Sequence, residues 1–143
     1  MPADTTDEDC HVVNVIWLPK CKKWAMIDTD KGIYVTNQQG LPLSLEDMRR
    51  NKINEVPMQY YSLKGEDIDS SYYPHYMSKN LYWFVCWEAT GYDVEADNPN
   101  LRSRCLLLIP PGYKGYKKRY AEGTCTSDAD KFWQFPINLS EAN

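Results

Sequence analysis

The sequence predicts an α+β domain: a mainly antiparallel sheet of five to six strands with one to two short helices. Three observations carry that expectation. Short β-branched and apolar runs recur between turn residues from Val12 to Thr36, a helix-start signature sits at Ser44–Asp47, and the apolar run LYWFVCWEAT covers Leu81–Thr90.

Residues 1–10 are polar and acidic without periodicity and read as a flexible tail, leaving 11–143 as the single domain. Val12–Leu18 (VVNVIWL) has the composition of a strand, closed by a turn at Pro19–Lys22. Lys23–Asp28 follows as a second strand, with Trp24 and Met26 on one face and Ala25 and Ile27 on the other. Thr29–Gly32 supplies the next turn, with Gly32 suited to a positive φ, and Ile33–Thr36 the third strand. These three make an antiparallel meander.

Ser44, with acids in the following turn and Arg49, Arg50 and Lys52 near the end, predicts a helix over Leu45–Ile53 that Pro57 stops. Residues 54–79 show little regular period and read as a partly structured excursion that carries five tyrosines. Leu81–Thr90 is apolar on both alternating sides, which predicts a central strand covered on both faces. Leu101–Ile109 returns as its hairpin partner, an arrangement that makes Cys86 and Cys105 neighbours. Gly112–Tyr120 reads as a loop and edge strand, and Ser127 or Asp128 caps a short helix through Phe132 and Trp133.

Composition narrows the function. The chain has 143 residues with 16 bases, 20 acids and a net charge of −4. Four acids precede residue 10, so the remaining sequence is formally neutral but segregated. From Gly65 to Asp97 seven acids oppose Lys79 alone, whereas residues 98–121 contain six bases and no acid. Such segregation orients and steers partners. The 11 Tyr and 5 Trp combine an apolar face with a polar edge and suit interface anchors.

No apolar run approaches the ~18 residues that cross a bilayer, so no membrane partner is expected. The acidic start resembles no leader, and five cysteines without one imply reduced thiols, so a cytoplasmic location is expected. Cys10, His11 and Cys21 fit no common zinc spacing, and Asp93, Glu95 and Asp97 lack the glycine and final glutamate of a calcium loop. No metal or cofactor is therefore predicted. The chain also lacks GxSxG, P-loop, GxGxxG and HExxH motifs, and with them any basis for naming a reaction.

The expectation is a small non-enzymatic protein-binding module, such as an immunity or inhibitor protein, a phage accessory factor or an assembly subunit. Its anchors are Tyr60, Tyr61, Tyr72, Tyr73 and Tyr76, with Asp93, Glu95 and Asp97 steering a basic protein partner. One alternative is RNA or single-stranded DNA binding through Tyr113, Lys114, Tyr116, Lys117, Lys118, Arg119 and Tyr120, whose rings and cations suit bases and phosphates. A pI of about 5.1 weighs against it. Another is a small enzyme or ligand-binding domain using His75 or a cysteine.

Overall fold

The turn at Pro19–Lys22 folds the first two strands onto each other, with Lys22 at a positive φ of 47° and the Cys21 N–H donating to the Leu18 carbonyl at 3.1 Å. The computed structural model describes residues 11–69, 71–87, 105–111 and 124–133. Its contacts divide the chain into two compact units, Met1–Tyr82 and Trp83–Asn143. Across them the architecture is α+β, with the described strands in two sheets rather than one.

In the first unit, β1 (Asn14–Leu18), β2 (Lys23–Asp28), β3 (Ile33–Thr36) and β4 (Gln59–Ser62) form an antiparallel sheet in chain order. The register sets Trp17 against Trp24, Ile27 against Tyr34 and Tyr34 against Tyr61. Strand alternation then puts Met26, Asp28, Ile33, Val35 and Tyr60 on one face, and Ala25, Ile27, Tyr34 and Tyr61 on the other. Strands β2 and β3 pair directly only beside their turn. Farther along, Leu43 wedges between them, its N–H donating to the Val35 carbonyl and its carbonyl accepting from the Met26 N–H. That insertion satisfies the backbone groups the diverging strands leave open.

Helix α1 (Leu45–Ile53) starts at Ser44 with a complete capping box. Ser44 Oγ accepts from the Asp47 N–H at 3.0 Å, and Asp47 accepts from the Ser44 N–H at 3.1 Å. Lys23 reaches Asp47 from β2 at 2.8 Å. Burial raises the Asp47 pKa, but the bonds from Lys23 and Ser44 outweigh it and hold the carboxyl below its usual range. The helix ends before Pro57, in a Schellman motif. Val56 N–H donates to the Asn51 carbonyl, Glu55 N–H to that of Lys52, and Glu55 takes φ 55°.

Among its described residues, the partly structured excursion expected over 54–79 contains β4 and most of helix α2 (Tyr72–Asn80). Asp69 Oδ1 gathers the N–H and hydroxyl of Ser71 and the Tyr72 N–H, and so satisfies donors at the helix entry. Pro74 follows in the first turn, where no intrahelical N–H is needed. Arg49 of α1 donates to the carbonyls of Leu81 and Tyr82, both at 2.9 Å, and ties the two helices where α2 ends.

In the second unit, β5 (Phe84–Trp87), β6 (Cys105–Leu108) and β7 (Thr124–Thr126) lie in that order, with β6 antiparallel to β5 and parallel to β7. Two expectations are corrected. Among the described residues β5 is an edge strand, with Val85 45% exposed, and the central strand is β6, with Leu107 and Leu108 buried. The register sets Cys86 against Leu106 and Cys105 against Trp87, one step from the expected pairing. Asp128 caps α3 (Ala129–Phe132) by accepting from the Lys131 N–H, and Trp133 meets Phe84 and Phe132 edge to face.

The left-handed position that closes α1 yields a direct test. Replacing Glu55 by Gly removes the Cβ penalty, so the account predicts a gain of about 0.5–1 kcal/mol in urea unfolding.

Candidate functional site

Asp28 occupies the last position of β2, where alternation turns its carboxylate to the same face as Met26, and its exposure is 0%. A charge there requires full pairing. Oδ1 accepts the Lys31 N–H at 2.9 Å across the β2–β3 turn. Oδ2 accepts the Tyr73 hydroxyl at 2.8 Å and lies 2.5 Å from His11 Nε2. One carboxylate thus joins the residues before β1, the turn after β2 and the first turn of α2. Burial, and then the bond to Asp28, push the Tyr73 phenol far above its ordinary range and keep it a neutral donor. Tyr60, its edge-to-face neighbour at 5.8 Å, is also raised by burial.

From this anchor an aromatic ledge runs outward. The His11 ring meets the edge of Tyr76 at 5.1 Å, and Tyr76 stacks on Tyr72 at 5.8 Å. Lys31 and Lys79 lie over Tyr76 at 5.8 and 5.6 Å, within cation–π range. Lys31 also pairs with Asp30 at 2.8 Å, and that bond lowers the Asp30 pKa and raises its own. Tyr72 is 56% exposed at the end of the stack.

Beside Tyr72 lies an open depression of about 230 Å³, lined by the acids Glu66, Asp67 and Asp69, the base Lys31, and Ile33, Ser62 and Tyr73. All three acids are exposed. Hydrogen bonds from the Ser71 hydroxyl and N–H and the Tyr72 N–H hold Asp69 below the usual carboxylate range. The volume falls short of the roughly 300–1,000 Å³ of a pocket that engulfs a metabolite, and suits a single long side chain.

The structure distributes the five expected tyrosines among different environments. Tyr73 is 1% exposed and belongs to the core, with Tyr60 half-buried against it. Tyr61 points to the opposite sheet face and stacks on Tyr34 at 5.3 Å. Only Tyr72 and Tyr76 form the ledge. Asp93, Glu95 and Asp97 lie outside the described residues, as do Tyr113, Lys114, Tyr116, Lys117, Lys118, Arg119 and Tyr120. The acids brought to the tyrosines are Glu66, Asp67 and Asp69, the first members of the same acidic stretch.

His75 is exposed on α2, and Cys21 is a free, exposed thiol in the β1–β2 turn. Cys86 and Cys125 belong to the second unit. The histidine with an orienting carboxylate is His11. Its side chain is 7% exposed and Asp28 is fully enclosed, so the pair acts as a clasp rather than as a base open to substrate. Asp28 itself was missed, although a carboxylate in phase with Trp24 and Met26 was the signal for it.

Among the described residues, no three His, Cys, Asp or Glu side chains converge as a metal site, and no helix is long and apolar enough to cross a membrane. No family model matches the chain, and no curated protein or solved structure matches it.

Anchor and ledge separate by mutation. Tyr73→Phe removes a donor to a buried carboxylate and is expected to cost about 1.5–3 kcal/mol. Tyr72→Ala, on the surface, is expected to stay within about 0.5 kcal/mol of the parent. Urea denaturation of both variants checks the pair.

Proposed function

We propose that the first unit is a protein-binding module. In this reading it grips a basic segment of another protein with the exposed Tyr72 ring and the neighbouring depression, whose lining includes Glu66, Asp67 and Asp69. The observation that carries the reading is the exposure of Tyr72 beside that acidic depression, on a helix whose neighbouring Tyr73 is locked to a buried carboxylate. A ring presented by a fixed helix loses little freedom on docking, which is how aromatic anchors contribute disproportionately to affinity.

Charge complements shape here. A lysine or arginine side chain can lay its aliphatic stem along Tyr72 and set its cationic head among three acids that outnumber Lys31, the base on the same lining. The acids accelerate encounter, whereas the ring and the depression govern release. Immunity, inhibitor, phage-accessory and assembly roles all use such a contact, and the partner determines which applies.

The test is capture of partners by the tagged chain from its native host, compared with the Tyr72→Ala and Glu66→Gln/Asp67→Asn variants. A nuclease-resistant partner retained by the parent chain should be weakened at least about 30-fold by Tyr72→Ala, corresponding to about 2 kcal/mol. The paired acid variant should slow association at low salt and flatten its salt dependence. Equal capture by parent and Tyr72→Ala contradicts the reading. Nuclease-sensitive capture with a steep salt dependence supports nucleic-acid binding instead.

A further inference from the structure

Lys31 shares the lining of the depression with Glu66, Asp67 and Asp69, and the turn that joins β2 to β3 fixes its place. Its N–H donates to Asp28 Oδ1 at 2.9 Å, while Oδ2 of the same carboxylate accepts from Tyr73 in the first turn of α2. One buried anchor therefore registers the turn against the helix. The side chain extends to α2, with Nζ 5.8 Å from the centre of the Tyr76 ring, the ring that stacks on Tyr72. Nζ also pairs with Asp30 Oδ2 at 2.8 Å, and that bond raises the Lys31 pKa and keeps the side chain cationic.

We infer that Lys31 is an internal competitor for the cation of the partner segment: its ammonium holds the ledge until a base from the partner displaces it. The inference rests on the protein-binding reading and names what regulates that same site. The surroundings which that reading offers to a lysine or arginine, a tyrosine face with carboxylates nearby, are the surroundings Lys31 already has. A tethered base of this kind competes at a high effective concentration. An incoming cation meets its repulsion or drives it off.

Displacement is open to Lys31 because its head group is held at the surface. The Lys31 and Asp30 side chains are 37% and 65% exposed, and pairs this exposed hold their geometry weakly. The backbone of Lys31, in contrast, is bound to the fully buried Asp28. The ammonium can therefore swing into water while the turn, the anchor and α2 keep their places. Substitution of the side chain likewise spares the N–H that the buried carboxylate needs.

NMR titration of the full chain at low salt with a capped glycine–serine peptide that bears three arginines tests this. Lys31→Met keeps the stem and removes the charge, and it should tighten binding about fivefold or more, a gain that shrinks at high salt. Lys31→Arg, which puts a cation back, should reverse most of that gain. Lys20→Met removes a charge from the exposed turn at the far end of β2 from Asp28 and should alter binding about twofold at most. Urea unfolding verifies that each variant is folded, and Lys31→Gln replaces Lys31→Met if the latter is not. Binding that Tyr72→Ala weakens but Lys31→Met leaves unaltered, or that Lys20→Met tightens equally, overturns the role of Lys31 and leaves the binding reading standing. Binding indifferent to Tyr72→Ala overturns the reading itself, and this inference with it. No binding by either the parent or Lys31→Met overturns both.

Discussion

The first unit depends on a single buried carboxylate. Asp28 has no contact with water, and its two oxygens are engaged by the Lys31 N–H, the Tyr73 hydroxyl and His11. A buried charge tolerates no vacancy among its partners, because an unpaired ion in a low-dielectric interior costs several kcal/mol. The donors come from three separate stretches of chain, so satisfying the carboxylate also fixes where those stretches meet. Met26, Val35, Met48 and Met77 supply apolar burial in the same unit, but such burial is non-directional. The hydrogen bonds add orientation: α2 docks with Tyr73 inward.

With Tyr73 inward, the helical period decides what the rest of α2 presents. Tyr76 and Tyr72 are four residues apart and stack on one flank. Strand alternation makes a similar division in β4, where Tyr60 faces the core and Tyr61 stacks with Tyr34 on the other side. A run of tyrosines that looks like one feature in sequence is thus divided into core, ledge and opposite sheet face. Aromatic abundance alone did not identify an interface; periodicity and the Asp28 anchor separate structural rings from displayed ones.

Much of the fold was legible where local chemistry determines local structure. Ser44 and Asp47 satisfy each other's backbone donors within one turn, and the α1 bounds follow from that. Turn residues marked β1 to β3, and Asp128 marked α3. Legibility failed where distant partners decide. Strand β4 is four residues long and is defined by pairing with β3. Helix α2 contains Pro74 and begins on a carboxylate three residues ahead of it, a start that looks like a loop in sequence. The β6–β7 pair is parallel, a choice that no periodicity records. For the candidate site, the acidic stretch is visible in sequence, but that Glu66, Asp67 and Asp69 share a depression with Tyr72 depends on the fold.

Hydrogen exchange of the Tyr73→Phe variant tests the central claim most directly. If the bond to Asp28 docks α2, amides of Tyr72–Asn80 should lose protection about tenfold or more, while Leu45–Ile53 and the β1–β2 ladder keep theirs. Unchanged protection of α2, or an even loss across both helices and the sheet, would contradict it.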